Sequence, residues 1–155
     1  MRTRTAQWFE VKIRYEKTTD EGLQKKVTET YVVDGLSFTE GESRSMEEMS
    51  SYISGEFEVA DMKKAPYKEI FFSDDELADK WYKAKLQFIT IDEKTVKEKR
   101  SSVNYLVQAG SFNGAVNNID EVMGTTMIDY EIVSVAETSI MDVFEHTAKH
   151  EGEQV

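Results

Sequence analysis

The sequence predicts an α+β protein that builds one β-β-α-β-β unit twice, with antiparallel sheets, one helix per copy and a pseudo-two-fold relation between the copies. Three observations predict it. Segments recur in order: Trp8–Tyr15 reads like Trp81–Phe88, Tyr31–Phe38 like Tyr105–Phe112, Phe57–Val59 like Tyr130–Ile132, and Phe71 falls opposite Phe144. The spacing between matching positions stays at 73 or 74 residues, which chance similarity rarely sustains over four segments. Apolar Phe9, Val11, Ile13 and Tyr15 alternate with Trp8, Glu10, Lys12 and Arg14, the two-residue period of a strand. Ser37 and Ser111 precede helical patterns, and Ser37 with Glu40 resembles a capping box.

Each element follows from local chemistry. In the first repeat, residues 1–73, a strand over Trp8–Tyr15 turns at Asp20-Glu21-Gly22 into a β-branched strand over Val27–Asp34. Ser37 starts a helix with Met46, Met49 and Ile53 on one face, and Gly55 ends it. Strands over Phe57–Met62 and Tyr67–Phe72 follow, with Pro66, the one proline of the sequence, between them. Residues 74–79 are a linker in which Asp74-Asp75-Glu76-Leu77 makes a short helix or turn. In the second repeat, residues 80–145, strands cover Trp81–Ile91 and Ser101–Gln108. Ser111 caps a helix with the stripe Val116, Ile119, Val122 and Met123. Strands over Met127–Ala136 and Ile140–Glu145 close the unit. The tail, residues 146–155, is polar and expected to fray.

Composition removes several classes of function. With no cysteine there is no disulfide, thiolate metal site or cysteine nucleophile. No apolar run approaches the roughly 20 residues of a membrane helix, and the basic residues near Met1 precede no apolar stretch, so a cytoplasmic location without membrane contact is expected. A formal net charge of -11 argues against indiscriminate binding to phosphate backbones.

The acidity is segregated. Residues 1–28 hold seven Lys/Arg against four Asp/Glu, and residues 80–100 hold seven against three. These are the two leading hairpins, and acid dominates the remainder. Lys12 and Arg14 share a strand face with Trp8, and Lys83 and Lys85 share one with Trp81. Lys25, Lys26, Lys97, Lys99 and Arg100 begin the partner strands and extend the same surface. Rings interleaved with cations suit single-stranded nucleic acid: bases stack at roughly 1–3 kcal/mol each while amines meet phosphates. The leading expectation is therefore a non-catalytic binding protein that engages an anionic partner with Trp8, Lys12, Arg14, Lys25, Lys26, Trp81, Lys83, Lys85, Lys97, Lys99 and Arg100. Ordinary explanations compete. The tryptophans can pack on each other or cover a homodimer contact, and edge lysines can simply block aggregation. A structural or protein-interaction scaffold, or a sponge or sensor for a small anionic ligand such as a nucleotide, stands beside the leading reading.

Catalytic signals are weak, and neither a cofactor nor a metal is expected. His146 and His150 are four apart beside Glu145 and Glu151, a spacing that could hold a metal on a helix but equally suits a frayed tail. Asp74, Asp75, Glu76 and Asp79 could gather a divalent cation weakly, or cap the linker. Glu58 and Glu131 occupy equivalent positions, and Glu42, Glu47 and Glu48 make one helix face acidic, a surface for a basic partner or for solvent. There is no phosphate-cradling glycine loop and no nucleophile elbow.

The segments Trp8–Tyr15, Lys25–Phe38, Tyr67–Phe72, Phe88–Lys94 and Met127–Phe144 resemble a small family of proteins from gut anaerobic bacteria and their phages that is defined as a domain of unknown function. The most specific stretches are Tyr67–Phe72 and Leu86–Lys94. The resemblance spans nearly the whole chain and implies no activity, cofactor or catalytic residue. The phage association favours a role near nucleic-acid metabolism by analogy.

Overall fold

A computed structural model of the chain describes residues 1–146. The elements in order are β1 (Arg2–Arg4), β2 (Trp8–Thr18), β3 (Gln24–Asp34), α1 (Phe38–Tyr52), β4 (Phe57–Lys64), β5 (Glu69–Phe72), β6 (Lys80–Ile91), β7 (Glu98–Ala109), α2 (Phe112–Met123), β8 (Asp129–Glu137) and β9 (Ile140–Phe144). The fold is α+β. β1 has no counterpart in the sequence reading. The leading hairpins run longer than the periodicity suggested, because their charged ends keep pairing beyond the apolar stretch.

The chain forms two compact units. Unit 1 comprises Met1–Thr5 and Pro66–Thr138, and unit 2 comprises Ala6–Ala65 and, among the described residues, 139–146. The five-stranded sheet of unit 1 has the order β1-β5-β7-β6-β8, and the four-stranded sheet of unit 2 the order β4-β2-β3-β9. Neighbouring strands are antiparallel except β5 with β7 and β9 with β3, which are parallel. Each sheet thus has an antiparallel β-β-α-β core extended by one parallel strand from the other sequence repeat, and in unit 1 β1 adds antiparallel to that strand.

Connection lengths force this exchange. β4 is antiparallel to β2, which is antiparallel to β3, so β4 and the strand parallel to β3 point the same way. Joining two parallel strands of one sheet takes a crossover of a dozen or more residues. Residues 65–68 separate β4 from β5, and residues 138–139 separate β8 from β9. Neither link can return the chain along the sheet, so each last strand completes the sheet it can reach. Pro66, with fixed φ and no N–H, stands where the chain passes between units.

The local signals are realised as built structure. The Ser37 hydroxyl accepts the Glu40 N–H at 3.1 Å, and the Ser111 hydroxyl accepts that of Gly114 at 3.1 Å. β2 shifts register against β4 at Lys12/Ile13, and β6 shifts against β8 at Lys85/Leu86, equivalent positions of the two repeats. The helix stripes differ from expectation. α1 buries Gly41, Ser45 and Met49, leaving Met46 exposed, and α2 buries Ala115, Ile119 and Met123, with Ala115 in the role expected of Val116. Small residues let the helices lie close to the sheet. A Cβ at Gly41 would meet Met62 Cε at 2.6 Å and Phe9 Cδ2 at 3.2 Å. The core of unit 2 joins Phe9, Val11, Ile13, Val33, Met49 and Phe144, and that of unit 1 joins Phe71, Tyr82, Ala84, Leu86, Tyr105, Val107 and Ile119.

Candidate functional site

The expected basic-aromatic surface is not assembled as the sequence suggested. Trp8 is 2% exposed and Trp81 is 3% exposed, so neither indole offers a platform for stacking. Strand alternation did put them on the face away from the helix. That face carries its own apolar residues at the tryptophan end: Val32 opposite Glu10, Leu106 opposite Lys83, and Ile70 opposite Leu106, all fully buried. Phe72 and Trp81 meet edge to face with ring centroids 5.8 Å apart. A buried indole removes roughly 150–250 Å² from water, a stronger preference than any held for an exposed stacking role.

The cations stand on the same strands as expected, but mostly among acids. In unit 2, Arg14 bonds Glu58 at 3.1 Å, Lys12 lies opposite Asp61, and Lys26 lies opposite Glu16. Lys25 pairs with Lys17 on the helix side of the sheet, away from Lys12 and Arg14. In unit 1, Arg100 holds Glu131 at 2.6 Å and Glu98 at 3.5 Å. Lys97 precedes β7, and Lys99 sits opposite Thr90 on the face opposite Arg100. Lys83 and Lys85 differ from the rest. They are exposed, with Ala136 and Ser134 on one side and Leu106 and Asn104 on the other. Glu58 and Glu131, read as equivalent carboxylates, are the partners of Arg14 and Arg100.

The histidines divide. His146 is buried, which corrects its assignment to a frayed tail, while His150 lies outside the described residues. The His146 backbone N–H donates to Asp34 Oδ1 at 3.1 Å. Its imidazole lies between two carboxylates at ion-pair distance, Nδ1 3.5 Å from Asp34 and Nε2 3.1 Å from Glu48. Arg44 completes the group, reaching Asp34 Oδ1 at 3.2 Å and pairing with Glu40. This buried polar cluster fastens the end of β9 to β3 and α1. In the linker, Asp74 receives the Met1 ammonium group at 2.7 Å, which holds its carboxyl below the usual range, and Asp75 accepts the Leu77 N–H. Among the described residues no three His, Asp or Glu side chains gather as metal ligands, and no helix is long and apolar enough to cross a membrane.

A different surface emerges where β9 meets the C-terminal end of α1. Phe144 stacks on Tyr31 with centroids 5.4 Å apart and on Tyr52 at 6.0 Å. Tyr52 is 69% exposed and Met141 is 53% exposed. With Asp142 they line a small hollow of about 170 Å³. Desolvation by these neighbours, and then the charge of Glu48, raise the Asp142 carboxyl above the ordinary carboxylate value, against the Val143 N–H that favours its charged form. Next to it, Tyr15 and Tyr31 both donate to Glu29 Oε1, at 2.6 Å and 3.3 Å. That bond, with desolvation, pushes the Tyr15 phenol up to about 12. A wider open groove of about 1180 Å³ runs from Tyr52 and Phe57 along the end of the β2–β3 hairpin, where Arg14, Lys17 and Lys26 alternate with Glu16, Glu56 and Glu58. Its charges do not converge on one sign. The acidic helix and the match of Phe144 to Phe71 are legible in the sequence, whereas the parallel pairing of β9 with β3 that brings Tyr31, Tyr52 and Asp142 together is not.

No curated protein matches the chain, and no solved structure matches it. A family model described as "Domain of unknown function (DUF4494)" matches residues 7–146, from the residue before β2 to the histidine two residues beyond β9. The chain therefore belongs to this domain-of-unknown-function family.

Proposed function

We propose that this protein is a non-catalytic interaction module whose partner is a basic protein segment, seated on the acidic aromatic edge of unit 2. The observation that carries the reading is the exposure of Tyr52 and Met141 over Phe144 and Tyr31, rimmed by Asp142 and Glu48. Aromatic residues and methionine are enriched in protein interfaces. A carboxyl whose charged form is disfavoured by burial and by a neighbouring carboxylate gains from an incoming cation. A net charge of -11 adds long-range attraction for basic partners. The test is a titration of 15N-labelled protein with short lysine- and arginine-rich peptides at low salt. Shifts centred on Tyr52, Met141 and Asp142, lost in Tyr52→Ala/Met141→Ser, support the reading. Silence of those resonances at millimolar peptide would sink it.

A second reading keeps an anionic partner, single-stranded nucleic acid foremost. Lys83 and Lys85 favour it, two exposed amines on one strand face with uncharged cross-strand neighbours. Without accessible indoles, such binding rests on phosphate contacts alone and falls steeply with salt. Fluorescence anisotropy with labelled oligonucleotides tests it: binding abolished by Lys83→Glu/Lys85→Glu supports it, and no binding at micromolar protein removes it.

A further inference from the structure

The two repeats supply an internal control for exposed apolar residues. In the second, Ile91, Val96, Met127 and Ile128 all stand exposed. Their counterparts in the first are Thr18, Gly22, Ser54 and Gly55, which are exposed as well. The same unit is thus built without an aliphatic side chain at any of the four positions. At this end of the fold Leu23 runs the other way, exposed where the second repeat has Lys97.

The four residues gather at one end of the five-stranded sheet. β6 and β8 share their last pair at Ile89 and Asp129, and both continue past it toward the same end. Ile91 and Met127 each stand two residues beyond that pair, about 7 Å along. Val96 lies in the turn between β6 and β7. Hydrogen bonds tie down both supporting loops. In the hairpin turn the Asp92 N–H donates to the Lys97 carbonyl at 2.9 Å, and the Val96 N–H to that of Asp92 at 2.7 Å. Ahead of β8 the Thr126 hydroxyl donates to the Met123 carbonyl at 2.6 Å and accepts the Ile128 N–H at 3.3 Å. Val96 also holds a φ of 54°, strained for a β-branched residue, where the first repeat has glycine. An aliphatic group held in water at the cost of backbone strain does nothing for the isolated chain. Exposed apolar groups collected in one place mark an interaction surface.

Charge points to the occupant. Residues 91–100 and 127–129 hold four Lys/Arg and four Asp/Glu, in a chain whose net charge is -11. A rim of one sign selects a partner of the other sign. A balanced rim fits a copy of itself, because in a two-fold contact the amines of each copy meet the carboxylates of its mate. By contrast, the surface around Tyr52 and Met141 is rimmed by Glu48 and Asp142 and would set acid against acid.

We propose that the hairpin end of unit 1 is a homodimer contact, at which two copies of the chain meet about a two-fold axis through Ile91, Val96, Met127 and Ile128. The contact is independent of what unit 2 binds. Four side chains cover less than the roughly 800 Å² per partner of a standard interface, so the dimer is weak and reversible.

The experiment uses the full chain. Sedimentation equilibrium between about 10 µM and about 1 mM should show monomer and dimer with Kd on the order of 100 µM. In methyl-labelled protein, dilution over that range should move the methyl resonances of Ile91, Val96, Met127 and Ile128 and leave that of Met141 in place. Returning the patch to its first-repeat residues, with Ile91→Thr/Val96→Gly/Met127→Ser/Ile128→Gly, should give a folded chain that is monomeric at about 1 mM. Val96→Gly alone should weaken the dimer about threefold, although the dilute monomer melts higher. A parent chain that stays monomeric at about 1 mM overturns the proposal, as does growth beyond two copies or a fourfold variant that still dimerises. Dilution shifts centred on Tyr52 and Met141 also overturn it. If the fourfold variant does not fold, the dilution shifts of the parent chain decide.

Discussion

Replacing Phe144 by alanine tests whether β9 belongs to the sheet of unit 2 as its packing implies. The ring is nearly buried, joins the core formed by Phe9, Val11, Ile13, Val33 and Met49, and stacks on both Tyr31 and Tyr52. Truncating a buried phenylalanine costs about 3–5 kcal/mol, from lost transfer energy and an unfilled cavity. Phe144 stands on an edge strand beside an exposed tyrosine, where water can enter the space, so the lower end applies, about 3 kcal/mol. Phe71 is its counterpart in unit 1 but has no exposure, and Phe71→Ala should cost about 4–5 kcal/mol. Met141→Ala, on the exposed face of the same strand, should stay within about 0.5 kcal/mol of the parent. Urea unfolding provides the assay. Trp8 in unit 2 and Trp81 in unit 1 give each unit one buried fluorescent reporter. For m of roughly 2 kcal/mol per molar, Phe144→Ala lowers the urea midpoint by about 1.5 M. If Phe144→Ala proves as mild as Met141→Ala while Phe71→Ala is severe, β9 is not packed on β3 and the exchange of last strands is refuted.

Three further outcomes are expected. Val96 takes a φ of 54° in the β6–β7 turn, at the position where the first repeat has Gly22 with a φ of 81°. A β-branched residue is strained there, so Val96→Gly should stabilise by about 1 kcal/mol, seen as a higher Tm, and a lower Tm would show the strain to be absent. Hydrogen bonding to Glu29, with burial, raises the Tyr15 phenol from 10 to about 12, so the native state favours its neutral form. Stability from this group is complete below pH 10 and is lost as pH rises toward 12, by about 1–2 kcal/mol after allowance for solvent screening. Glu29→Gln should shrink that loss when urea midpoints are compared at about pH 9 and about pH 11.5, and an unchanged alkaline loss would contradict the assignment. Finally, both indoles should emit at short wavelength and resist acrylamide, since both are almost wholly buried. Quenching like that of free tryptophan would restore the stacking surface that the sequence suggested.

The candidate site was only partly legible in the sequence. Lys12, Arg14, Lys83 and Lys85 were placed correctly on the strand face away from the helix, because a period of two is a property of a single strand. Their electrostatic meaning was not, because the carboxylates that answer Arg14 and Arg100 arrive from β4 and β8, some 31 to 44 residues along the chain. Lys25 and Lys99 were misplaced by one position of register, enough to turn a side chain to the opposite face. The helix stripes missed Gly41 and Ala115 because hydrophobicity points to large residues, whereas a close-lying helix selects small ones.

By itself the sequence determined the kind and order of the expected elements, the caps on both helices and the recurrence of one unit, because caps, periods and repeats are encoded within a few residues of where they act. Tertiary structure decided the rest. Links of four and two residues cannot carry a strand back across its own sheet, so the last strands change places, and the exchange sets Phe144 and Asp142 beside Tyr31 and Tyr52. Burial of Trp8 and Trp81 was decided in the same way, since alternation fixes which face a side chain takes and only the assembled chain fixes which faces are covered.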